Sequence, residues 1–279
     1  MTPILAKGLL VGLAVAALGG GLVFSGIDQS SGANATPFDP RSFARGGAPS
    51  AWQPLTPGLQ SVARGFVNVG SRRIPHLRVN TITGVTKLVD GVRAVVVLDQ
   101  DINDGQVAEQ ALDFMAADGR GNVWYLGSYT EGYEGGQFVS ARDGWLGGVR
   151  GASPGILMPG RPRAGSPPFY ENRVPGVESP TGQVVKTRQS TCVPFKCYQR
   201  VVVIQEGDEY KYFAPSVGGI RIEPQGSGGK QESEDLVNLR QLAPAALTAI
   251  EAEVLKLDRH ARTTVSDVFA KSAPAKRQP

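Results

Sequence analysis

The sequence predicts a mainly β fold: an antiparallel curved sheet or open barrel with one C-terminal α-helix. Glycine and proline number 36 and 20 in a chain of 279 residues, well above the average combined share of about 12%. These residues supply the backbone conformations that tight turns need. Short runs rich in Val, Thr and aromatic residues alternate with turn signals, which is typical of an antiparallel meander. A helical period appears near the C-terminal end.

The first 35 residues predict export. Lys7 precedes an uncharged run over 8–24, and Ala33-Asn34-Ala35 offers a small-x-small cleavage motif. This layout is typical of a signal peptide. An uncleaved anchor is the alternative, although the run would span only about 25 Å as a helix. We therefore expect the protein to be secreted, or tethered by residues 8–24 to the outer face of the cytoplasmic membrane.

The first half of the β domain reads as successive strands. Residues 36–51 are polar and rich in turn signals, which predicts a flexible linker before a β domain over 52–242. The Asp-Gly step in Asn103–Gly105 favours a hairpin turn, and a second hairpin is predicted around Gly135-Gly136. Strands are predicted at 60–69, 75–83, 92–102, 106–118 and 123–130.

The second half contains a long loop, more strands and the helix. Proline and glycine in 151–182 argue against long ladder strands, so we expect a loop that covers one end of the sheet. Strand character returns over 182–191, 198–206, 210–224 and 230–243. A helix over 243–262 begins near Pro244, and 263–279 are expected to form a solvated tail. The helix carries one narrow apolar stripe: Leu247, Ile250, Val254 and Leu257.

Cys192 and Cys197 are the two cysteines of the chain. Strand-like segments flank them, and four residues separate them, so they would face each other across a hairpin. An oxidising compartment favours a disulfide; free buried thiols, or a redox or metal site, are the alternatives. A zinc site would need more ligands than His76 and His260 can add, since structural zinc takes four.

No catalytic, cofactor or metal motif is found, and the chain is not expected to be an enzyme. The pattern Asp99, Asp101, Asn103 suggests calcium, but an EF-hand spacing is missing, so surface acids beside a hairpin turn are favoured. His76 could act as a general base, but no partnered nucleophile is visible, and a structural or exposed histidine is favoured. Acids at 131, 134, 206, 208 and 209 are expected to be solvated at turns.

The aromatic residues allow two interpretations. They either pack the sheet or face an apolar or sugar ligand. The ligand-facing candidates are Trp124, Tyr125, Trp145, Tyr210 and Tyr212. The net charge of +4 is scattered along the chain, which argues against a nucleic-acid partner.

Four motifs resemble a family of uncharacterised exported bacterial proteins, many of them predicted lipoproteins. They read GNVWYLG at 121–127, PGILMP at 154–159, CVPFKCY at 192–198 and KYFAPSVG at 211–218. The resemblance implies an exported, mostly antiparallel β domain, and it implies no activity. The cysteine that would anchor a lipid is absent here, so lipid anchoring does not carry over.

Two functions follow as expectations. The first is an exported cell-envelope protein that binds an apolar small molecule or lipid in a concave sheet. The alternative is a non-enzymatic structural or protein-interaction module of the cell envelope. An apolar cavity lined by several strands would favour the first, and a filled interior would favour the second.

Overall fold

A computed structural model describes residues 36–43, 49–69, 71–141, 144–225 and 232–278. The predicted signal peptide or anchor over 1–35 lies outside these residues. Among the helices that are described, none combines the length and the apolar character needed to cross a bilayer.

The fold is mainly antiparallel β, as predicted: one sheet curls into a nearly closed barrel with a single unsealed seam. Its order is β10-β8-β5-β4-β3-β2-β1-β15-β14-β13-β12-β11-β9, with β6 and β7 paired to β5 and β16 paired to β2. The strands are β1 (Leu59–Val69), β2 (Arg72–Val89), β3 (Val92–Asn103), β4 (Gln106–Ala117), β5 (Val123–Glu134), β6 (Gln137–Ser140), β7 (Trp145–Leu146), β8 (Ser153–Met158), β9 (Phe169–Tyr170), β10 (Asn172–Arg173), β11 (Thr181–Cys192), β12 (Cys197–Glu206), β13 (Glu209–Ala214), β14 (Gly218–Pro224), β15 (Ser233–Gln241) and β16 (Lys276–Arg277).

The predicted hairpin between β3 and β4 is confirmed. Asp104 and Gly105 occupy its tip with positive φ angles of 51° and 80°. Two consecutive positive φ values define the type I′ turn that matches the right-handed twist of paired strands. The turn therefore fixes the register of β3, and with it the direction of every side chain on that strand.

The seam is spanned by one short piece of chain. β9 pairs with β11 at one edge of the sheet, and β10 pairs with β8 at the other. Glu171 is the single residue between β9 and β10, and its side chain is fully buried. The loop predicted over 151–182 thus contributes a six-residue strand, β8, which pairs with β5. Pro154 lacks the N–H group that a strand ladder uses. It does not prevent this pairing, because β8 is short and pairs little beyond β5.

Helix α1 (Pro244–Thr264) packs on the outer face of the sheet. Val254 and Leu257, from the predicted stripe, are buried there. A short helix, α2 (Ser266–Phe269), follows and places Phe269 against Phe114 and Tyr129. We call the opposite face of the sheet, away from α1, the inner face.

Two segments predicted to be loose are instead attached. The tail forms β16, which pairs with Val85 and Thr86 on the edge of β2 that β1 leaves open, because the pairing of β1 with β2 ends at Thr81. A 3-10 helix (Pro40–Phe43) lies within the predicted linker. Phe38 and Phe43 pack on Trp124, with ring centroids 5.6 and 6.0 Å away. Apolar side chains in both segments explain the attachment, because they leave water on docking.

The predicted disulfide is present. Cys192 and Cys197 are directly opposed on β11 and β12 and are bonded to each other. Replacing both by serine is expected to lower the free energy of unfolding by about 2 kcal/mol, because the closed loop is short. Chemical denaturation measures the loss. Reducing the unmodified protein should reproduce that loss, whereas a midpoint indifferent to both treatments would contradict the expectation.

Candidate functional site: a buried histidine and carboxylate cluster

Charged side chains line part of the inner face. Side chains two residues apart on a strand point to the same side of a sheet, and Asp113 lies between Leu112 and Phe114, which face the helix. Its cross-strand partner Val97 therefore faces inward, as do Asp99 and Asp101 further along β3. On β2, Arg78 is opposed to Asp101. An alternating pattern thus brings polar groups inside the barrel.

Four strands bring a histidine and a glutamate together. Asn103, His76, Gly65 and Glu234 form one continuous cross-strand row over β3, β2, β1 and β15. Gly65 has no side chain, so His76 and Glu234 can approach each other across it. Glu232 precedes β15 by one residue and shares the inward direction of Glu234.

His76, Asp101, Glu232 and Glu234 form what we call the His76 cluster. The His76 Nε2 atom lies 2.9 Å from Glu232 Oε1, 3.6 Å from Asp101 Oδ1 and 3.9 Å from Glu234 Oε2. The side chains of His76, Glu232 and Glu234 are at most 2% exposed. Nitrogen and oxygen donors of these three residues all lie within 4.8 Å of one another.

Hydrogen bonds orient the imidazole but leave one of its nitrogens unsatisfied. His76 Nδ1 lies 2.7 Å from Asn103 Oδ1, and an amide oxygen only accepts, so Nδ1 carries the proton. His76 Nε2 faces the carboxylates, with Glu232 Oε1 in ion-pair contact. Among the described residues, no hydrogen bond of ordinary geometry reaches this nitrogen, Asp101 Oδ1, either carboxylate oxygen of Glu232 or Glu234 Oε2, although Nε2 and Glu232 Oε1 are in ion-pair contact. Buried polar atoms are rarely left in this state.

The electrostatics show an excess of negative charge. Burial raises the pKa of Asp101 well above its ordinary value, and Asp99 adds to this rise. Burial also raises the pKa of Glu234 to about 8, although Arg78 opposes the shift. For His76, burial lowers the pKa, but Glu232, Asn103 and Glu234 outweigh it and the net pKa is raised. Each shift means that this site favours added positive charge.

The charged region continues along the barrel towards the seam. Asp113 accepts hydrogen bonds from Tyr125 and Ser128 at 2.7 and 3.0 Å, and burial raises its pKa to about 6. Burial raises the pKa of Glu171 well above its ordinary value, and Glu206 contributes to this rise. We call the whole set the polar interior: His76, Arg78, Asp99, Asp101, Asp113, Glu171, Glu206, Glu209, Lys211, Glu232 and Glu234.

Two predictions about these residues are wrong. Asp99 and Asp101 are not surface acids: they lie in β3, and their side chains are 12% and 8% exposed. Glu206 is likewise not solvated at a turn, since it is largely buried and forms an ion pair with Lys211. The sequence does contain the signal, because charged residues at alternate positions mark one face of a strand. The prediction of surface acids placed that face towards water.

The predicted ligand-facing aromatics lie apart from the His76 cluster. Trp124, Tyr125 and Trp145 are buried in the apolar core, where Tyr125 stacks edge-on against Trp145. The Trp124 indole donates a hydrogen bond to Asp118. Tyr210 and Tyr212 are half-buried on β13. Tyr125 also reaches the polar interior, because its hydroxyl donates to Asp113 Oδ1 at 2.7 Å.

A small depression lies at the seam, beside β8 and β9. Its volume is about 240 Å³ including the space open to solvent. Gly155 and Ile156 of β8, Tyr170 of β9 and Arg173 of β10 contribute to its wall.

His260 also meets a glutamate, but differently. Its Nδ1 atom lies 2.7 Å from Glu131 Oε1, and the same oxygen accepts a hydrogen bond from Tyr129. His260 is 41% exposed. Glu131 was predicted to be solvated and is instead buried, where it ties α1 to β5. This carboxylate has its partners, so it provides a comparison for the unsatisfied His76 cluster.

No family model matches the chain, and no curated protein matches it. Among solved structures, the chain resembles a Bacteroides fragilis protein with a YmcC-like fold that is provisionally assigned as exported. The sequences are 12% identical, the match covers 68% of this chain and 99% of the other, and the TM-score is 0.40. Likeness at this level leaves the function to be inferred from the site itself.

Proposed function

We propose that this protein is an exported, non-enzymatic domain of the cell envelope that binds a cation in its polar interior. The observation that carries the proposal is the set of buried carboxylate oxygens around His76 Nε2 that accept no hydrogen bond from the described residues. Leaving several such groups unpaired in a low-dielectric interior is costly. A bound cation would pair them.

Export is supported by three features of the chain. The N-terminal 35 residues have the layout of a signal peptide or anchor. The disulfide between Cys192 and Cys197 suits an oxidising compartment. The family resemblance expected from four sequence motifs would imply the same location.

The polar interior supports a cation in preference to the apolar ligand expected from a concave sheet. Carboxyl groups outnumber cations there: Arg78, Lys211 and His76 are the positively charged groups that act on the pKa of the acids. An apolar molecule would leave these acids unpaired. The role of a non-enzymatic module is supported by burial, since His76 at 2% exposure offers no access to a substrate.

The pH dependence of stability tests this proposal. Glu234, Glu209 and Asp113 have folded pKa values of about 8, 7 and 6, against ordinary values of 4.5, 4.5 and 3.8. At a pH between the ordinary and the folded pKa values, the folded state binds more protons than the unfolded state. Stability therefore falls as pH rises from about 4 to about 8. Without divalent cations, the melting temperature should fall by roughly 5 °C or more between pH 5 and pH 8.

Adding divalent cations at pH 8 should restore the lost stability, because they bind the folded state alone. Glu234→Gln should reduce the pH dependence, because it removes one of the three groups. Glu253→Gln, in an exposed pair with Lys256 on α1, is the control and should not. A melting temperature that stays level from pH 5 to 8, or a lipid retained by the purified protein in native mass spectrometry, would contradict the proposal.

A further inference from the structure

We infer that the bound cation is a divalent transition metal, zinc foremost, held by His76 Nε2, Glu232, Glu234 and Asp101. This inference rests on the proposed function and names its ligand. It starts from the donor atoms, since the set combines one imidazole nitrogen with carboxylate oxygens. Imidazole suits zinc, copper, iron and nickel, whereas sites for calcium and magnesium are built from oxygen alone.

The spacing of the donors fits tetrahedral zinc. Bonds of about 2.0–2.1 Å at tetrahedral angles separate neighbouring ligand atoms by roughly 3.3 Å. The three distances from His76 Nε2 to carboxylate oxygens, 2.9, 3.6 and 3.9 Å, bracket this value. The donors of His76, Glu232 and Glu234 also lie within 4.8 Å of one another, close enough to share one ion.

The surroundings prepare the imidazole for a metal. Metal-binding histidines usually donate their other N–H to an oxygen, which fixes the tautomer and the ring orientation. Asn103 Oδ1 takes this role for His76 Nδ1. Arg78 forms an ion pair with Glu234 Oε1 and leaves Oε2 free for the ion. His76 and Glu234 are therefore each oriented by a neighbour.

The cluster lies beside a hairpin turn. Asn103 is the last residue of β3, next to the turn at Asp104 and Gly105. The backbone N–H of Asp104 donates to the Pro75 carbonyl, one residue before His76. The cluster thus lies close to the turn between β3 and β4.

Metal content and zinc titration test the inference on the full mature protein. We expect one zinc per chain by elemental mass spectrometry, and a tetrahedral absorption spectrum after cobalt substitution. His76→Ala should weaken zinc binding at least tenfold. Asn103→Ala, which removes the side-chain amide that orients the ring, should weaken it about 10- to 100-fold. Circular dichroism checks that each variant is folded. If His76→Ala does not fold, Asn103→Ala tests the inference in its place.

His260→Ala is the matched control. It removes the other histidine that contacts a buried glutamate, and zinc affinity should not change. Equal zinc binding by the His76 and His260 variants would overturn the donor set. A preference for calcium or magnesium over zinc would overturn it as well. The proposed cation-binding function would survive both results. A protein that gains no stability from any cation tested at pH 8 would overturn the inference and the function together.

Discussion

Asp258→Ala is expected to lower the free energy of unfolding by about 3–5 kcal/mol, because it leaves a buried charge without its partner. Lys87 Nζ donates to Asp258 Oδ1 at 2.7 Å and to the Ala273 carbonyl at 2.8 Å. The Lys87 side chain is 0% exposed and that of Asp258 is 3% exposed. Burial lowers the pKa of Lys87, and Asp258 opposes this shift, so removing the carboxylate isolates the ammonium group.

The same pair joins three parts of the chain. Lys87 belongs to β2, Asp258 to α1, and Asp258 Oδ2 accepts the backbone N–H of Ala275 just before β16. We therefore expect the melting temperature of Asp258→Ala to fall by roughly 10 °C, given about 2–4 °C per kcal/mol for a domain of this size. Thermal and chemical unfolding measure both quantities.

Two further variants separate the buried charge from a general loss of packing. Asp267→Ala removes an exposed ion pair with Arg150, and exposed pairs contribute about 1 kcal/mol at most. Adding Lys87→Met to an Asp258→Leu background should recover much of the stability, since apolar replacements of a buried pair are often neutral. If the double variant is as unstable as Asp258→Ala, the isolated charge is not the cause.

The fold could be predicted from the sequence because its signals are local. The Asp-Gly step at 104–105 specifies a hairpin turn, and the runs on either side have strand composition. The stripe containing Val254 and Leu257 predicts both the helix and the side that docks. Cysteines flanking a four-residue loop predict the disulfide. Each signal lies within a few residues, so no knowledge of tertiary contacts was needed.

The candidate site could not be predicted because its residues are far apart in the chain. His76 and Glu234 meet only through the pairing of β1 with both β2 and β15. Alternation on β3 marks Asp99 and Asp101 as sharing a face, but not whether that face points into the barrel or to water. General preference places charged residues outside, and this protein departs from it on the inner face. The ion pair between Asp258 of α1 and Lys87 of β2 could not be predicted either, because its two residues are also far apart in the chain.

Gly65→Ala is expected to destabilise the protein by about 3 kcal/mol or more, because it forces two backbones apart. A Cβ atom at Gly65 would lie 1.6 Å from the Ser233 carbonyl oxygen and 2.7 Å from Glu234 Cα. Both atoms belong to the backbone of β15, so no side-chain rotation relieves the contact. β1 and β15 would have to separate.

That separation would also take Glu234 away from His76, which lies on the other side of Gly65. Gly65→Ala should therefore lower stability and cation binding together, as measured by chemical denaturation and by titration of any protein that remains folded. Gly219→Ala on β14 is the control: a Cβ there has its nearest heavy atom 4.0 Å away, and both properties should be kept. A Gly65→Ala protein with unchanged stability would mean that β1 and β15 do not pair closely at this point. The cross-strand row that joins His76 to Glu234 could then not be the physical basis of the site.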